Sequence, residues 1–498
     1  MSNPLRLALS AAALAMLLAS SACLIGPHYR RPDMPAPPSY KEAPKDAPAA
    51  ACPAPAPPAA SAAGQPSGWK AAAPTDAVPR GEWWKVYADS HLDALEAQVT
   101  ISNQNLLAAG AQFRAAQAAV RISRSSLFPA VTAAPSATRS GGAAATGGRR
   151  SYSIPIDAAY QVDLWGGIRH GVAASTALAQ ASAADVETAR LLYQSELATG
   201  YFEVQGLDAT RHLLESTVTS YERFAQLTQD RLDGGVASEG DVALAQTQLE
   251  TARAQLADLG VQRAQLEHAI AVLIGRPPSE LTLPDAHPQA SPPVWPPSVP
   301  SSLLERRPDI ASAERQVAAA NEQIGVSRAA LFPSLILSAT AGLQSSSIVD
   351  LLTWPSRFWS VGPQLAATLF DAGKRRAQVR LSQAAYDATV ANYRETVLTG
   401  FEQVEDALAQ LRILTSESLI VDRAVTAANR SLQISIDQYR GGLTGYLQVI
   451  TAQNFALQNQ RAAVDLLTRR NVSSVALIQA LGGGWDSSQL PSARDLQR

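Results

Sequence analysis

The chain has 498 residues, a formal net charge of −2 and only 17% charged residues, fewer than the roughly 25% typical of soluble domains. Because Lys and Arg do not outnumber Asp and Glu, there is no basic surface for nucleic acid, and no nucleic-acid partner is expected. Beyond the extreme N-terminus, no apolar run reaches the length of about 18 residues that a membrane-spanning helix needs.

The N-terminus has the pattern of a secretory signal. One Arg precedes an apolar stretch over residues 7–18, and small residues then lead to Cys23. The run from Ser20 to Cys23 resembles a bacterial lipobox, so we predict that residues 1–22 are removed and that Cys23 is lipidated. Its acyl chains, such as palmitate, would contribute about 0.8 kcal/mol of membrane affinity per buried CH₂. Plain signal cleavage near Cys23 is the alternative.

Residues 23–80 are predicted to form the lipidated N-terminus and a Pro/Ala-rich tether. The stretch CPAPAPPAASAAG in this region buries little and stays extended. The only other cysteine, Cys52, lies in the tether, so an exported chain of this kind has no disulfide framework.

The rest of the chain repeats itself at an offset of just over 200 residues. The tripeptide Leu-Phe-Pro at 127–129 recurs at 331–333, and GGVASEGDVALAQ, starting at Gly234, recurs as GGLTGYLQVITAQ, starting at Gly441. Two copies are too few for a solenoid. We therefore predict two related domains, 81–290 and 291–482, followed by a C-terminal tail at 483–498.

Each copy contains two segments in which apolar residues alternate with others. In SIPIDAAYQVDL, apolar side chains occupy every second position from Ile154 to Leu164. This period and a length of about ten residues are typical of membrane barrel strands. We predict strands at about 130–140 and 152–164, and at about 334–345 and 358–370. A half-buried strand in a soluble sheet is the alternative.

Two long segments without proline, Trp165 to Leu232 and Gly373 to Tyr439, predict long helices. At 1.5 Å per residue, each spans about 100 Å, which is longer than a globular domain. The shorter helical segments of each copy add up to nearly one long helix, so two short helices are expected to stack end to end beside each long one. Heptad-spaced apolar residues in the short segments indicate lateral packing, as in a coiled coil.

The two kinds of segment together predict a mainly α fold with a transmembrane β-barrel portion. Long antiparallel helical hairpins would form an α-barrel, and each protomer would supply four strands. Four strands cannot close a sheet, and lipid tolerates no open sheet edge. Several copies must therefore combine their strands, so that two copies give eight and three give twelve.

Several motifs resemble those of the TolC/OprM-type outer-membrane factors, in particular the lipoprotein subfamily of RND-type efflux channels. These motifs are CLIGPHYRRP at 23–32, the pair Trp83-Trp84, RRPDIASAE at 306–314 and YRGGLTGYLQVITAQ at 439–453. The resemblance implies a homotrimer with a 12-stranded barrel in the outer membrane and an α-barrel in the periplasm. It also implies two partners, a periplasmic adaptor (membrane fusion protein) and an inner-membrane pump.

By this resemblance, the turns that follow the two long helices are periplasmic tips that the adaptor contacts. Ser238 and Asp241 also have the spacing of a capping box before the next helix. Two helical hairpins with no docking role are the alternative. The predicted contact residues are Gly234, Gly235, Val236, Ser238, Gly441, Gly442, Leu443 and Thr444.

Gate residues are predicted near the same turns. Relatives often carry carboxylates early in the last helix, where this chain has Gln448 and Thr451, and the first copy has Asp241 at the place of Gln448. Asp241 forms a pore ring in one interpretation and is a solvated residue of a first helical turn in the other. Tyr439 and Arg440 are expected to brace the closed state.

Nothing in the sequence predicts an enzyme. The six His residues are scattered, and no nucleophile, metal or phosphate motif occurs, so no catalytic residue, cofactor or metal site is expected. The predicted function is that of the outer-membrane channel subunit of a tripartite efflux system, a passive duct for small molecules. Two alternatives remain: an outlet for type I protein or peptide secretion, and a non-conducting periplasmic coiled-coil scaffold lipoprotein.

Overall fold

The computed structural model describes residues 24–34, 36–37, 40–42, 81–141, 149–285 and 305–496. The predicted signal peptide, the predicted lipid site Cys23 and most of the tether, including Cys52, lie outside the described residues.

The described chain is mainly helical, with one antiparallel sheet. The helices are α1 (Ser90–Ser102), α2 (Gln104–Ser125), α3 (Gly167–Asp233), α4 (Glu239–Leu273), α5 (Pro308–Ala329), α6 (Lys374–Arg440), α7 (Tyr446–Ala480) and α8 (Ala493–Leu496). The strands are β1 (Ala130–Ala133), β2 (Ser136–Ser140), β3 (Arg149–Val162), β4 (Ser334–Ser345) and β5 (Arg357–Ala366). None of the described helices contains a stretch apolar enough to cross a membrane.

The two long helices are confirmed and are equal in length. Helices α3 and α6 have 67 residues each, α4 and α7 have 35 each, and α2 and α5 have 22 each. Helix α3 packs along both α2 and α4, and α6 packs along both α5 and α7. Most of the heptad residues, such as Val242, Leu249 and Ile450, are buried in these contacts.

The short helices stack end to end, as predicted. At the first junction, the Ser102 hydroxyl donates to the Ile274 carbonyl oxygen at 2.6 Å, and the Asn103 amide donates to the Leu273 carbonyl oxygen at 2.8 Å. A Cβ on Gly275, whose φ is +69°, would lie 2.2 Å from the Ser102 carbonyl oxygen. Gly482 (φ +91°) approaches the Arg306 carbonyl oxygen equally closely. Only glycine fits either junction.

The main apolar core lies around these junctions. The Trp83 and Trp84 side chains are almost fully buried and pack with Leu92 against Leu197 and Phe202 of α3. A second cluster joins the N-terminal segment, through Tyr40, to α5, α6 and α7. The helical part is therefore held together at mid-length within one chain.

The Leu-Phe-Pro tripeptides mark the predicted change from helix to strand. Helix α2 ends at Ser125 and β1 begins at Ala130, while α5 ends at Ala329 and β4 begins at Ser334. The Phe128 and Phe332 amides make the last turn-type hydrogen bonds, at 3.0 and 3.2 Å. The proline that follows has no N–H to continue the helix, so the chain becomes extended.

The sheet has the strand order β1/β2–β3–β4–β5, and every neighbouring pair is antiparallel. Both β1 and β2 pair with β3. The predicted strand at about 130–140 is therefore two short strands in line, interrupted near Pro135, which together form one row of the sheet. The prediction for the last strand was too long, because β5 ends at Ala366 rather than near residue 370. Ser334, the first residue of β4, pairs with Ala366, the last residue of β5, and the outer edge of β5 has no partner in the described chain.

The register gives the sheet two different faces. Tyr160 lies opposite Leu337, and Ala339 lies opposite Val361, so the apolar rows of neighbouring strands share one face. On the other face, the Thr340 hydroxyl donates to the Asp157 carboxylate at 2.6 Å. The apolar face includes an apolar cavity of about 920 Å³. Much of this face is uncovered, since the Trp359 and Val361 side chains are 78% and 74% exposed.

Candidate functional site

The α3–α4 and α6–α7 turns lie at the ends of the long helices furthest along the chain from the sheet. Their backbones are the same: Gly235 and Gly442 both have φ of +75°. The Val236 amide donates to the Arg231 carbonyl oxygen at 2.8 Å, and the Leu443 amide donates to the Gln438 carbonyl oxygen at 2.9 Å. A positive φ followed by this reverse hydrogen bond is the usual glycine ending of a helix. The glycines are therefore structural.

The two turns differ in how the next helix begins. The Ser238 hydroxyl accepts from the Asp241 amide at 3.1 Å, and the Asp241 carboxylate accepts from the Ser238 amide at 3.1 Å. This is the capping box that the sequence predicts. Gly445 stands at the same position before α7 and has no side chain to cap that helix. The second turn therefore provides no side-chain hydrogen bond to the first backbone amides of α7.

The second turn is instead attached to the first hairpin through Tyr439. The Arg231 guanidinium donates to the Tyr439 carbonyl oxygen at 3.0 Å, and its carbon atom lies 4.6 Å from the centre of the Tyr439 ring. The Thr228 hydroxyl lies 3.4 Å from the Tyr439 hydroxyl. A cation over an aromatic ring contributes about 0.5–2 kcal/mol. We call these contacts of Arg231 and Thr228 with Tyr439 the tip latch.

An apolar cluster lies behind the tip latch. Phe224 and Ala245 of the first hairpin pack against Tyr439, Tyr446 and Ile450 of the second. The Tyr439 and Tyr446 rings lie 5.6 Å apart. Burial raises the pKa of the Tyr446 phenol, and Tyr439 beside it adds to this rise, so the Tyr446 phenol is protonated at physiological pH.

The predicted contact residues fall into exposed and structural groups. The Val236 and Leu443 side chains are 67% and 79% exposed at matching positions of the two turns, and they are large apolar groups open to a partner. The Ser238 side chain is already hydrogen-bonded within the capping box. Thr444 is partly buried, and its hydroxyl oxygen has no hydrogen-bond partner in the described chain.

The predicted gate residues do not form one cluster. Gln448 and Thr451 are exposed and line a groove of about 430 Å³ between α6 and α7. Asp241 is half-buried in the capping box, and Arg440 is exposed. Tyr439 is buried, and its cationic neighbour is Arg231 rather than the adjacent Arg440. Sequence reasoning missed Arg231 because its partner lies 208 residues further along the chain.

The N-terminal segment reaches the opposite end of the helices. The Ile25 amide donates to the Trp165 carbonyl oxygen at 3.2 Å, and the Leu24 side chain packs on Gly166, where α3 begins. The Trp165 ring in turn stacks on Phe332 at 4.8 Å. The residue that follows Cys23 in sequence therefore lies where the helices meet the sheet.

Comparisons with known proteins agree with this architecture. The family described as outer membrane efflux protein matches residues 95–276 and 299–483. The chain belongs to this family. It is 32% identical over 445 residues to the pyoverdine export outer membrane protein OpmQ of Pseudomonas aeruginosa, across 86% of this chain and 93% of OpmQ.

A second relative and a solved structure extend the match along the chain. The outer membrane protein OprJ of Pseudomonas aeruginosa is 30% identical over 492 residues, across 97% of both chains. The structure of the outer-membrane channel OprN is similar with a TM-score of 0.80 and 28% identity, across 93% of this chain and all of that chain. As a member of the outer membrane efflux protein family, the chain is an outer-membrane channel subunit of an efflux system.

Proposed function

We propose that three copies of this chain form a passive duct that carries small molecules across the periplasm and the outer membrane. The observation that carries this proposal is the sheet, which within the described residues has an uncovered apolar face and two unpaired edges at the end of helices of 67 residues. A soluble domain rarely leaves such a face open to water. Lipid would cover the apolar face, and a neighbouring copy would pair with each edge.

Three copies would give a closed barrel of twelve strands, since each copy supplies four rows. The rows alternate in direction from β1 to β5, so the outer row at one edge is antiparallel to the outer row at the other edge. Identical copies can therefore close without a parallel pair. The face with Thr340 and Asp157 would line the pore, and the face with Trp359 and Val361 would meet lipid.

We further propose that the protomer is an internal repeat of two domains, 81–290 and 291–482, followed by the tail. Equal helix lengths in the two halves support this division. The two hairpin registers support it as well: Ala130 lies opposite Ala159, and Ser334, 204 residues after Ala130, lies opposite Ala366, 207 residues after Ala159.

Lipidation of Cys23 is part of the proposal. Leu24 packs at the junction between sheet and helices, so acyl chains on the preceding residue would enter the same membrane leaflet as the near end of the barrel. Their affinity adds to that of the barrel, at about 0.8 kcal/mol per buried CH₂.

We propose that the two turns are the periplasmic tips, where an adaptor docks and the duct opens. Val236 and Leu443 provide exposed apolar contacts, and Gln448 and Thr451 lie on an open groove beside the second turn. An adaptor that pulls the second hairpin away from the first must break the tip latch. The chain has no energy source of its own in this proposal, so transport is driven by an inner-membrane pump.

The test is conduction by the purified protein in a planar lipid bilayer. The proposal predicts small closed-state currents that rise when Arg231→Ala removes the arginine contacts of the tip latch. A protein that never conducts in either form would be a periplasmic scaffold instead. Export of a small dye by cells that contain the chain with its pump, but not by cells that lack the chain, would separate small-molecule efflux from protein secretion.

A further inference from the structure

The end of the sheet furthest from the helices is rich in arginine. The exposed arginines of the strands at this end are Arg139, Arg149, Arg150 and Arg357. The first hairpin contains no acidic residue in the sequence over 136–153, and the second contains only Asp350 over 345–357. This end of the sheet is therefore cationic, although the chain as a whole is almost neutral.

Arg139 and Arg150 continue the apolar face of the sheet. Side chains alternate between the two faces along β3, so Arg150 follows Ile154 and Tyr152 on the apolar face. Arg139 lies directly opposite Arg150 and therefore shares that face. Arg149 is the next residue along β3 and lies on the other face.

The Arg139 and Arg150 side chains form an unbalanced pair. Directly opposed residues of antiparallel strands have Cβ atoms about 4.5–5.5 Å apart, and like charges in this arrangement destabilise the pairing. In the part of the chain that the structure describes, no carboxylate forms an ion pair with either guanidinium. A phosphate between the two arginines would remove the repulsion, because its oxygens accept charge-assisted hydrogen bonds from both.

The position of the pair along β3 matches the level of lipid head groups. From Tyr152 to Val162 the apolar face extends about 34 Å along the strand, at about 3.4 Å per residue. A strand tilted by about 40° crosses about 26 Å of membrane over that length, close to the apolar band of about 25 Å on membrane barrels. In the proposed barrel, Arg150 lies just beyond this band and meets head groups rather than acyl chains.

A second cation lies on the same face at the start of β5. The Arg357 guanidinium carbon lies 3.4 Å from the centre of the Trp354 ring, and the Trp354 side chain is 74% exposed. Arg357 is opposite Leu343, in the apolar row of β4, and the exposed Trp359 follows it on that face. Tryptophan is enriched where membrane proteins meet the surface of the bilayer.

We propose that Arg139 and Arg150 bind a phosphate of a phosphorylated glycolipid of the lipopolysaccharide type, whose acyl chains cover the apolar face beside them. The helices are periplasmic in the proposed function, so this end of the sheet meets the outer leaflet. A soluble phosphate would fit the guanidinium groups but would leave the apolar row uncovered. Arg357 supplies a further cation to the same lipid layer. The inference rests on the proposed duct and adds a lipid partner for its outer rim.

The test is lipid binding by the full-length protein in detergent, measured by native mass spectrometry. The probes are lipid A with its phosphates and the same lipid A after enzymatic removal of the phosphates, so that the acyl chains are identical. We expect the phosphorylated form to bind at least about tenfold more tightly, because only that form reaches both guanidinium groups with an anion. Phosphatidylglycerol, an anionic lipid without phosphorylated sugars, should bind more weakly than phosphorylated lipid A.

Matched substitutions of neighbouring arginines separate a site from general charge. Arg150→Gln should weaken binding of phosphorylated lipid A about tenfold, since it removes one of two charge-assisted contacts. Arg149→Gln removes the same charge one residue away on the opposite face and should change the affinity less than about twofold. Arg139→Gln should match Arg150→Gln, and it keeps the test valid if either variant fails to assemble, which the same spectra report.

The outcomes separate the inference from the proposed function. In a conducting trimer, equal binding of lipid A with and without phosphate would overturn the inference. Equal weakening by Arg149→Gln and Arg150→Gln would also overturn it, as would equal binding of phosphatidylglycerol or displacement of lipid A by millimolar inorganic phosphate. A monomer with no conductance would instead refute the proposed function itself.

Discussion

The two helical turns share a backbone but are stabilised in different ways. The first is completed by its own residues, through the capping box of Ser238 and Asp241. The second begins its next helix at Gly445 without a side-chain cap, and it is attached to the first hairpin through Arg231 and Tyr439. In the proposed gate, this difference assigns the fixed part to the first hairpin and the moving part to the second.

The largest effect is expected from Arg231→Ala. It removes both the hydrogen bond and the cation above the Tyr439 ring, which together contribute about 1.5–3 kcal/mol. Because 1.4 kcal/mol corresponds to tenfold, the open fraction should rise about tenfold or more in single-channel records.

The matched control is Arg253→Ala, which removes an arginine of the same hairpin. Arg253 is exposed, and within the described chain its ion pairs are with Glu222 and Glu250. Its replacement should leave the open fraction unchanged. Equal opening by both variants would mean that loss of positive charge, and not the tip latch, controls the gate.

A charge added at the start of α7, beside the second turn, should have the next largest effect. In the proposed trimer, Gln448→Glu would place three carboxylates at the tip end of the duct, and the permeability ratio of cations to anions should rise about threefold as cations gather there. Asp241→Asn should change this ratio less, because the capping box holds the Asp241 carboxylate against the backbone at the start of α4. If Asp241→Asn changed the permeability ratio more than Gln448→Glu, the charges that select ions would lie beside the first turn.

A change of pH should affect the middle of the helices rather than the tips. Burial, with the nearby Asp93 adding to it, raises the pKa of the Glu96 carboxyl well above its ordinary value. The folded state therefore holds a proton that the unfolded chain releases above about pH 4.3, so stability falls as the pH rises from that value toward the folded-state pKa.

Thermal unfolding of the helical signal measures this effect. The wild type should melt at a lower temperature at pH 8 than at pH 5, and Glu96→Gln should reduce the difference. Glu250→Gln is the control, since Glu250 is an exposed carboxylate on α4. An unchanged pH dependence in Glu96→Gln would show that other groups cause it.

The smallest effect is expected from Ser238→Ala. Loss of a capping side chain costs about 1 kcal/mol, which corresponds to about fivefold faster hydrogen exchange of amides in the first turn of α4. Amides in the first turn of α7 should be unaffected. If they also exchanged faster, the first turn would not be the independent part of the gate.

The helices could be predicted from the sequence because their signals are local. The absence of proline from α3 and α6 and the heptads of α4 set both length and packing. The change from helix to strand at Leu-Phe-Pro could also be predicted, because proline ends the helical hydrogen bonds in both halves. Gly275 and Gly482 occur at matching positions because each fits under a backbone carbonyl.

The rest depends on contacts between distant residues. Arg231 and Tyr439 are 208 residues apart, and neither position has a local pattern that marks the pair. Alternation predicts strand faces but not strand ends, and β5 stops at Ala366 because it lacks a neighbour beyond that point. Burial of the Glu96 side chain is likewise a tertiary effect.

The most direct measurement is the protein mass of the purified particle in detergent, by native mass spectrometry or sedimentation with the detergent contribution removed. A barrel formed by three copies predicts a protein mass three times that of one mature chain. It also predicts that the particle precipitates when the detergent is withdrawn. A particle of one chain that stays dissolved without detergent after removal of its lipid would contradict the account.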